Sequence, residues 1–232
     1  MTTRKDFLAA GTALGAFTPQ IALAGASPSP SPAPTEAPLP ALNFDLTAFD
    51  KSLAKPAKHR HMFGSKKLSN GDVFSNMQGT IFAYDSLGIP LSEVALAGVF
   101  YHGISVYLAY DDTIWKKYII PGLPTDKTKA SALESDVLSV NPKGGNPCLH
   151  GKGDTDDQSI ETLVAQTGMR LYVCNRATSG LARGFARKYK LDPVEVYKDI
   201  AAHLVPNAML VPAGVWAVHA VQERGYTYLA VS

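Results

Sequence analysis

The chain has 232 residues, 46% hydrophobic and 18% charged, the balance of a globular protein with a core to bury and not of a disordered one. Its formal net charge of +2 is too small to argue for a nucleic-acid surface or a polybasic membrane footprint. Two cysteines are too few for a disulfide scaffold or a zinc knuckle.

Residues 1–26 read as an export signal and not as fold material. Arg4 and Lys5 precede an apolar stretch from Phe7 to Leu23, and Ala22-Leu23-Ala24 is the small-residue pattern a signal peptidase needs. Gly11, Gly15, Pro19 and Gln20 interrupt the stretch, which argues against a permanent spanning helix or stable membrane insertion after cleavage. TRKDFLA is similar to the twin-arginine signal with Lys5 in place of the second arginine, so the twin-arginine and general secretion routes both stay open. Either route places the mature protein in the periplasm or another extracytoplasmic space. Residues 27–41, SPSPSPAPTEAPLPA, form a linker whose alternating prolines hold the backbone extended.

The domain expected over residues 42–232 opens with a short surface helix or loop at 42–57. HRHMF (59–63) predicts a strand. In 70–88, Val73, Met77, Ile81, Tyr84 and Leu87 recur at helical spacing, with Asn70 or Asp72 as cap and Gly88 as stop. EVALAGVFY (93–101) is the near-continuous apolar run of a strand covered on both faces. Helical character returns over 104–118 and breaks near Asp111. Residues 119–153 are the least regular, and a loop of that length in a compact domain tends to be functional or mobile.

A helix is expected at 154–168, ending at Gly168, then a strand at 169–174 and a helix at 176–189. Asp192-Pro193 caps and opens a helix over 193–204. A strand at 208–211, a helix at 212–225 with Val215, Val218 and Val221 or Gln222 along one side, and a strand at 226–231 complete the series. Five strands thus alternate with helices, which predicts a three-layer, doubly wound α/β domain around a mainly parallel, flavodoxin-like sheet. There is no internal repeat, heptad or dinucleotide fingerprint, and no cofactor is implied.

In such sheets reactive groups collect beyond the carboxyl ends of the strands. Cys174 ends one predicted strand and His102 follows another, so both are expected at one edge. A helix begins directly after Cys174, and the N–H groups of a helix start favour a thiolate, with Arg176 and Arg183 adding to this if they face it. The competing reading is a small packing residue. His102 is a candidate base, thiolate partner or ligand, against a hydrogen-bonded strand end. Cys148 and His150, in NPCLHGKG, offer two donors, and with His102 and Cys174 they make a third reading, a metal-binding protein. In an oxidising compartment Cys148 and Cys174 are also a candidate disulfide, structural or redox-active. His59 and His61 flank Arg60 as a lesser cluster, more simply read as a solvent-exposed basic strand start.

VALAGVFYHGISVYLA (94–109), SIETLVAQTGMRLYVCNRA (159–177) and VPAGVWAVHAVQERGYTYLAV (211–231), taken with the strand and helix order, resemble the DsrE/DsrF-like family of small α/β sulfur-relay proteins. The resemblance places Cys174 at the family's reactive cysteine. It implies a persulfide carrier, a sulfur donor or acceptor protein or small thiol as partner, and a homo-oligomer. Cys148 then becomes the candidate resolving thiol and His102 the polar neighbour. Members without the cysteine exist, so a ligand- or partner-binding domain of the same fold is the alternative. Export and the long 119–153 segment depart from the family's cytosolic relay members.

Overall fold

β2 (Val94–Phe100) is buried at every position, and its side chains alternate between two separate apolar layers. Val94, Leu96 and Phe100 enter one layer; Ala95, Ala97 and Val99 enter the other. That period-2 division is what a central strand with helices on both faces requires. The computed structural model describes residues 38–151 and 157–231; the expected signal peptide and most of the proline-rich linker lie outside them.

Around β2 stand β1 (His59–Ser65), β3 (Arg170–Cys174), β4 (Ala208–Val211) and β5 (Thr227–Val231), in the order β4-β3-β2-β1-β5. Every pairing is parallel, so the sheet is wholly parallel. The larger layer is built by α2 (Asp72–Ser86), α5 (Ile160–Thr167), α6 (Asn175–Tyr189) and α7 (Pro193–Ala202). The opposite layer is built by α1 (Leu46–Leu53) and α8 (Gly214–Gln222). This is a three-layer, doubly wound α/β fold. Right-handed crossovers explain the division: the steps from β1 through β4 run one way along the sheet, and the step from β4 back to β5 runs the other.

The helix boundaries follow local chemistry. Asp192 accepts hydrogen bonds from the backbone N–H groups of Val194 and Glu195 and so caps α7, as Asp192-Pro193 predicts. Gly168 closes α5 at a φ of 68°, the left-handed conformation glycine adopts without cost. α2 departs from expectation: its N-cap is Gly71, and neither Asn70 nor Asp72 caps it with a side chain. α8 turns Gly214, Ala217, Ala220 and Val221 inward while Val215 faces solvent, because only small residues fit between the helix and the Ala95-Ala97-Val99 face.

Between β2 and β3 the chain forms a 3-10 turn (Ser105–Ala109), then α3 (Asp112–Ile114) running into a π-helical turn (Trp115–Ile119). The expected break at Asp111 is there, with its side chain accepting from the N–H groups of Thr113 and Ile114. A helix not foreseen, α4 (Ala132–Ser139), is held by a capping box between Ser131 and Glu134. Residues 141–151 are an ordered loop. Buried Asn146 donates to the carbonyls of Leu108 (3.0 Å) and Tyr110 (2.7 Å), and its own side-chain oxygen accepts from the Cys148 N–H.

α1 corrects the expectation of a surface element. Phe49 is fully buried, with ring centroids 5.0 Å from Tyr172 and 5.2 Å from Trp216, and the Tyr172 hydroxyl meets Ser52 Oγ at 2.6 Å. α1 is therefore one of two helices covering a whole sheet face. Phe49→Ala is expected to lower unfolding free energy by about 3–5 kcal/mol, measured by urea denaturation of the chain from residue 38 onward. A loss under about 1 kcal/mol would mean α1 is a detachable surface element.

Candidate functional site

β3 and β4 are neighbours whose carboxyl ends leave the sheet on opposite sides, β3 into α6 and β4 into α8. A crevice opens where adjacent strands diverge in this way, and in open α/β sheets ligands bind there. Cys174 stands at that point as the last residue of β3 and the N-cap of α6. Neither α6 nor α8 has a side-chain cap, so two sets of helix-start N–H groups converge on the junction. They come close: a Cβ on Gly214 would sit 2.3 Å from the Tyr101 Cβ and 3.1 Å from the Cys174 Cβ. Only glycine fits at the start of α8.

The backbone of Cys174 is fixed from below. Tyr110 is completely buried, and its hydroxyl meets Thr178 Oγ1 at 2.8 Å; Thr178 in turn donates to the Cys174 carbonyl at 3.1 Å. The Tyr197 hydroxyl holds the Asn175 side chain at 2.6 Å, turning it away from capping. Cys174 is 6% exposed, and it lines none of the cavities around His61 and Tyr84, around Tyr107 and Phe185, or around Cys148. Arg176 is exposed, and no contact joins it to Cys174 among those of the described residues.

The other sequence candidates are dispersed. His102 follows β2 at the same edge. Its backbone N–H donates to Ser105 Oγ at 3.3 Å and its carbonyl accepts from the same hydroxyl at 3.1 Å, while the imidazole borders a cavity described below. Cys148 packs elsewhere, with its sulfur 3.0 Å from where a Gly71 Cβ would stand. Both cysteines are free thiols, so the structure contains no Cys148–Cys174 disulfide. Burial pushes the Cys148 thiol up to about 12, the reverse of what a resolving nucleophile needs. His150 lies between two carboxylates, 3.1 Å from Glu161 Oε1 and 3.5 Å from Asp112 Oδ2. No group of three or more metal-ligating side chains occurs among the described residues, so His102, Cys148, His150 and Cys174 are not brought together as a metal site. His61 is structural: its ring nitrogens meet Thr227 Oγ1 (2.9 Å) and the Tyr84 hydroxyl (2.7 Å).

A feature the sequence did not announce is a cavity of about 400 Å³ beside the carboxyl end of β2. His102, Gly103, Tyr107, Tyr118, Phe185 and Lys188 are among its lining residues, and α4 and α6 supply the far walls. The Phe185 ring lies nearly parallel to those of Tyr118 (5.5 Å, 14°) and Tyr107 (6.1 Å, 23°). Gly180 and Gly184 sit one turn apart inside α6 and line it too. A Cβ on either would meet nothing within 4 Å. Each glycine costs the helix about 1 kcal/mol relative to alanine, and no neighbour's packing demands that cost.

No family model matches the chain, and no curated protein does. Among solved structures it is similar to a protein of unknown function, MTH1491 from Methanobacterium thermoautotrophicum, at 14% identity. That alignment covers 75% of this chain and 100% of the other, with a TM-score of 0.36. So slight a likeness names no function.

Two predictions follow from the cysteine and histidine environments. At pH 8, Cys148 in the folded protein is expected to resist iodoacetamide while reacting fully in 6 M urea, with peptide mass spectrometry as the readout; fast native labelling would contradict its protonated state. His150 is expected to titrate above its ordinary value, raised by its hydrogen bond to Glu161 and then by the charges of Glu161 and Asp112. For Asp112, burial alone would raise the carboxyl, but hydrogen bonds from Lys116 and the Asn146 N–H outweigh it and hold it low. The protonated His150 tie therefore stabilises the 141–151 loop below about pH 6.5 and is lost as pH rises through the raised value. The Asp112 contribution is lost in turn as pH falls through its lowered value. An NMR titration of His150 with a midpoint at or below that of an unfolded peptide would refute the tie.

Proposed function

We propose that this chain is a DsrE/DsrF-like thiol protein that accepts and transfers sulfane sulfur on Cys174. The observation that carries the reading is the seat of that residue, at the divergence of β3 and β4 with the uncapped starts of α6 and α8 beside it. Helix-start N–H groups favour anionic sulfur there, whether thiolate or persulfide. In the step proposed, the Cys174 thiolate attacks the outer sulfur of a persulfide donor, R–S–SH. A bond forms between Sγ and that sulfur, the donor S–S bond breaks, and R–S⁻ leaves. Cys174 then carries –S–SH, and an acceptor thiolate takes the outer sulfur by the same exchange.

Burial of the thiol makes access the controlling event. The Cα and Cβ of Tyr101 stand against Gly214 beside Cys174, while its ring turns toward Gly64 of β1 and its hydroxyl meets that of Tyr228 on β5 at 3.1 Å. Sulfur transfer thus requires the sheet edge to open around Cys174, which limits the reaction to donors that engage this edge. A small thiol or a donor or acceptor protein, and a homo-oligomeric assembly, are the partners that accompany this reading. Residues 1–26 extend it to a protein working outside the cytoplasm after signal cleavage.

Intact-mass spectrometry after polysulfide treatment tests the chemistry. Folded protein is expected to gain one or more sulfur atoms (about 32 Da each). The gain should vanish in Cys174→Ala, persist in Cys148→Ala and reverse with dithiothreitol. A gain that survives Cys174→Ala, or a folded protein that takes up no sulfur, would defeat the proposal.

A further inference from the structure

We propose that the cavity between the carboxyl end of β2, α4 and α6 is a binding site for a neutral, flat, ring-based molecule bearing a carbonyl or ether oxygen. This goes beyond the sulfur reading and does not rest on it, because Cys174 is not among the lining residues. The size is right: about 400 Å³ falls within the range of small-molecule pockets. Tyr107, Tyr118 and Phe185 provide aromatic faces, and Ile104, Ile119 and Leu181 complete an apolar lining. Such walls favour a flat hydrophobic body.

The charges select a neutral occupant. Lys188 Nζ donates to the Gly122 carbonyl at 2.6 Å. The Glu134 carboxylate is engaged by the Ser131 N–H and hydroxyl, each at 2.8 Å. The Lys188 and Glu134 charges also offset each other across the rim. With charges of opposite sign at the rim, neither an anion nor a cation meets a net counter-charge there, and either would give up hydration on entering.

Tyr107 offers a polar contact: it lines the cavity, no hydrogen bond of its hydroxyl to another described residue is present, and its ring packs against Trp115 and Phe185. Burial pushes this phenol up to about 12, so it stays protonated and serves as a donor at neutral pH. A ligand oxygen facing it would take the place of water as its acceptor. His102, exposed at the mouth, is the second polar contact within reach of the ligand's outer end. The open space beside Gly180 and Gly184 receives the body, and the helix forgoes alanine at both positions to keep that space.

Flavone, a neutral ring ketone, is the probe, with 1-anilinonaphthalene-8-sulfonate as its anionic counterpart. Binding of each to the chain from residue 38 onward is followed by tryptophan fluorescence and by amide shifts in heteronuclear NMR. Flavone is expected to bind with shifts confined to residues 102–107, 118–123 and 180–188, and more tightly than the sulfonate. Tyr107→Phe should weaken flavone roughly tenfold, the worth of one net hydrogen bond. Gly184→Leu should abolish binding while raising the melting temperature, since leucine fills open space and favours the helix. Cys174→Ala should leave flavone affinity unchanged, which separates this site from the sulfur chemistry. Shifts elsewhere, a tighter sulfonate, or undiminished binding in Gly184→Leu would each overturn the assignment.

Discussion

The divergence of β3 and β4 is the constraint on which the rest of the molecule depends. Three crossovers in one direction load one sheet face with α2, α5, α6 and α7; the single reversed crossover gives the other face to α8, with α1 beside it. Because that second face has only two helices, they must come close. Ala95 and Ala97 on β2 and Gly214 at the start of α8 are small for that reason. At Gly214 the approach is to the backbone of Tyr101 itself, at 2.5 Å from a would-be Cβ to the Tyr101 Cα. Backbone cannot step aside as the end of a side chain can. The same contact sets Cys174 against a second helix start, so sheet topology and site placement share one cause.

Much of this was legible in the sequence, for identifiable reasons. β2 and β3 are short unbroken apolar runs ending at turn-forming residues, and α6 and α7 carry a strong basic and apolar periodicity with an Asp-Pro start. Their carboxyl ends therefore placed Cys174 and His102 at one edge before any coordinates. What stayed hidden was what depends on packing between distant segments. α1 presents only Phe49 and Leu53 to the core across eight residues, too few for a periodic signal, and its importance comes from Tyr172 and Trp216, more than a hundred residues away. α4 lay inside a stretch dominated by proline and glycine, although Ser131 and Glu134 at capping-box spacing were a readable local sign.

The cavity was illegible for another reason: a sequence records what packs, and a cavity is where nothing does. Tyr107, Tyr118 and Phe185 look like ordinary core aromatics by spacing. The one available sign was Gly180 and Gly184, paired at i and i+4 inside an otherwise strong helix. That pattern commonly marks close helix packing. Here the space beside both is open, so coordinates reverse the usual meaning of the pair.

The two cysteines are not a redox couple waiting to close. Cys148 belongs to a loop held at several points: Asn146 binds two buried carbonyls, the Asn146 N–H meets Asp112 Oδ1 at 2.9 Å, and the Ile160 N–H holds the Cys148 carbonyl at 2.8 Å. Moving Cys148 to Cys174 would strip these groups of partners, at a cost of about 1–3 kcal/mol for each one left buried and unpaired. Cys174 is no freer, since the Tyr110–Thr178 chain fixes its carbonyl and Gly214 adjoins its Cβ. An external thiol that engages this edge is therefore the cheaper acceptor, and the sulfur reading points outward, to a second molecule, instead of inward to Cys148.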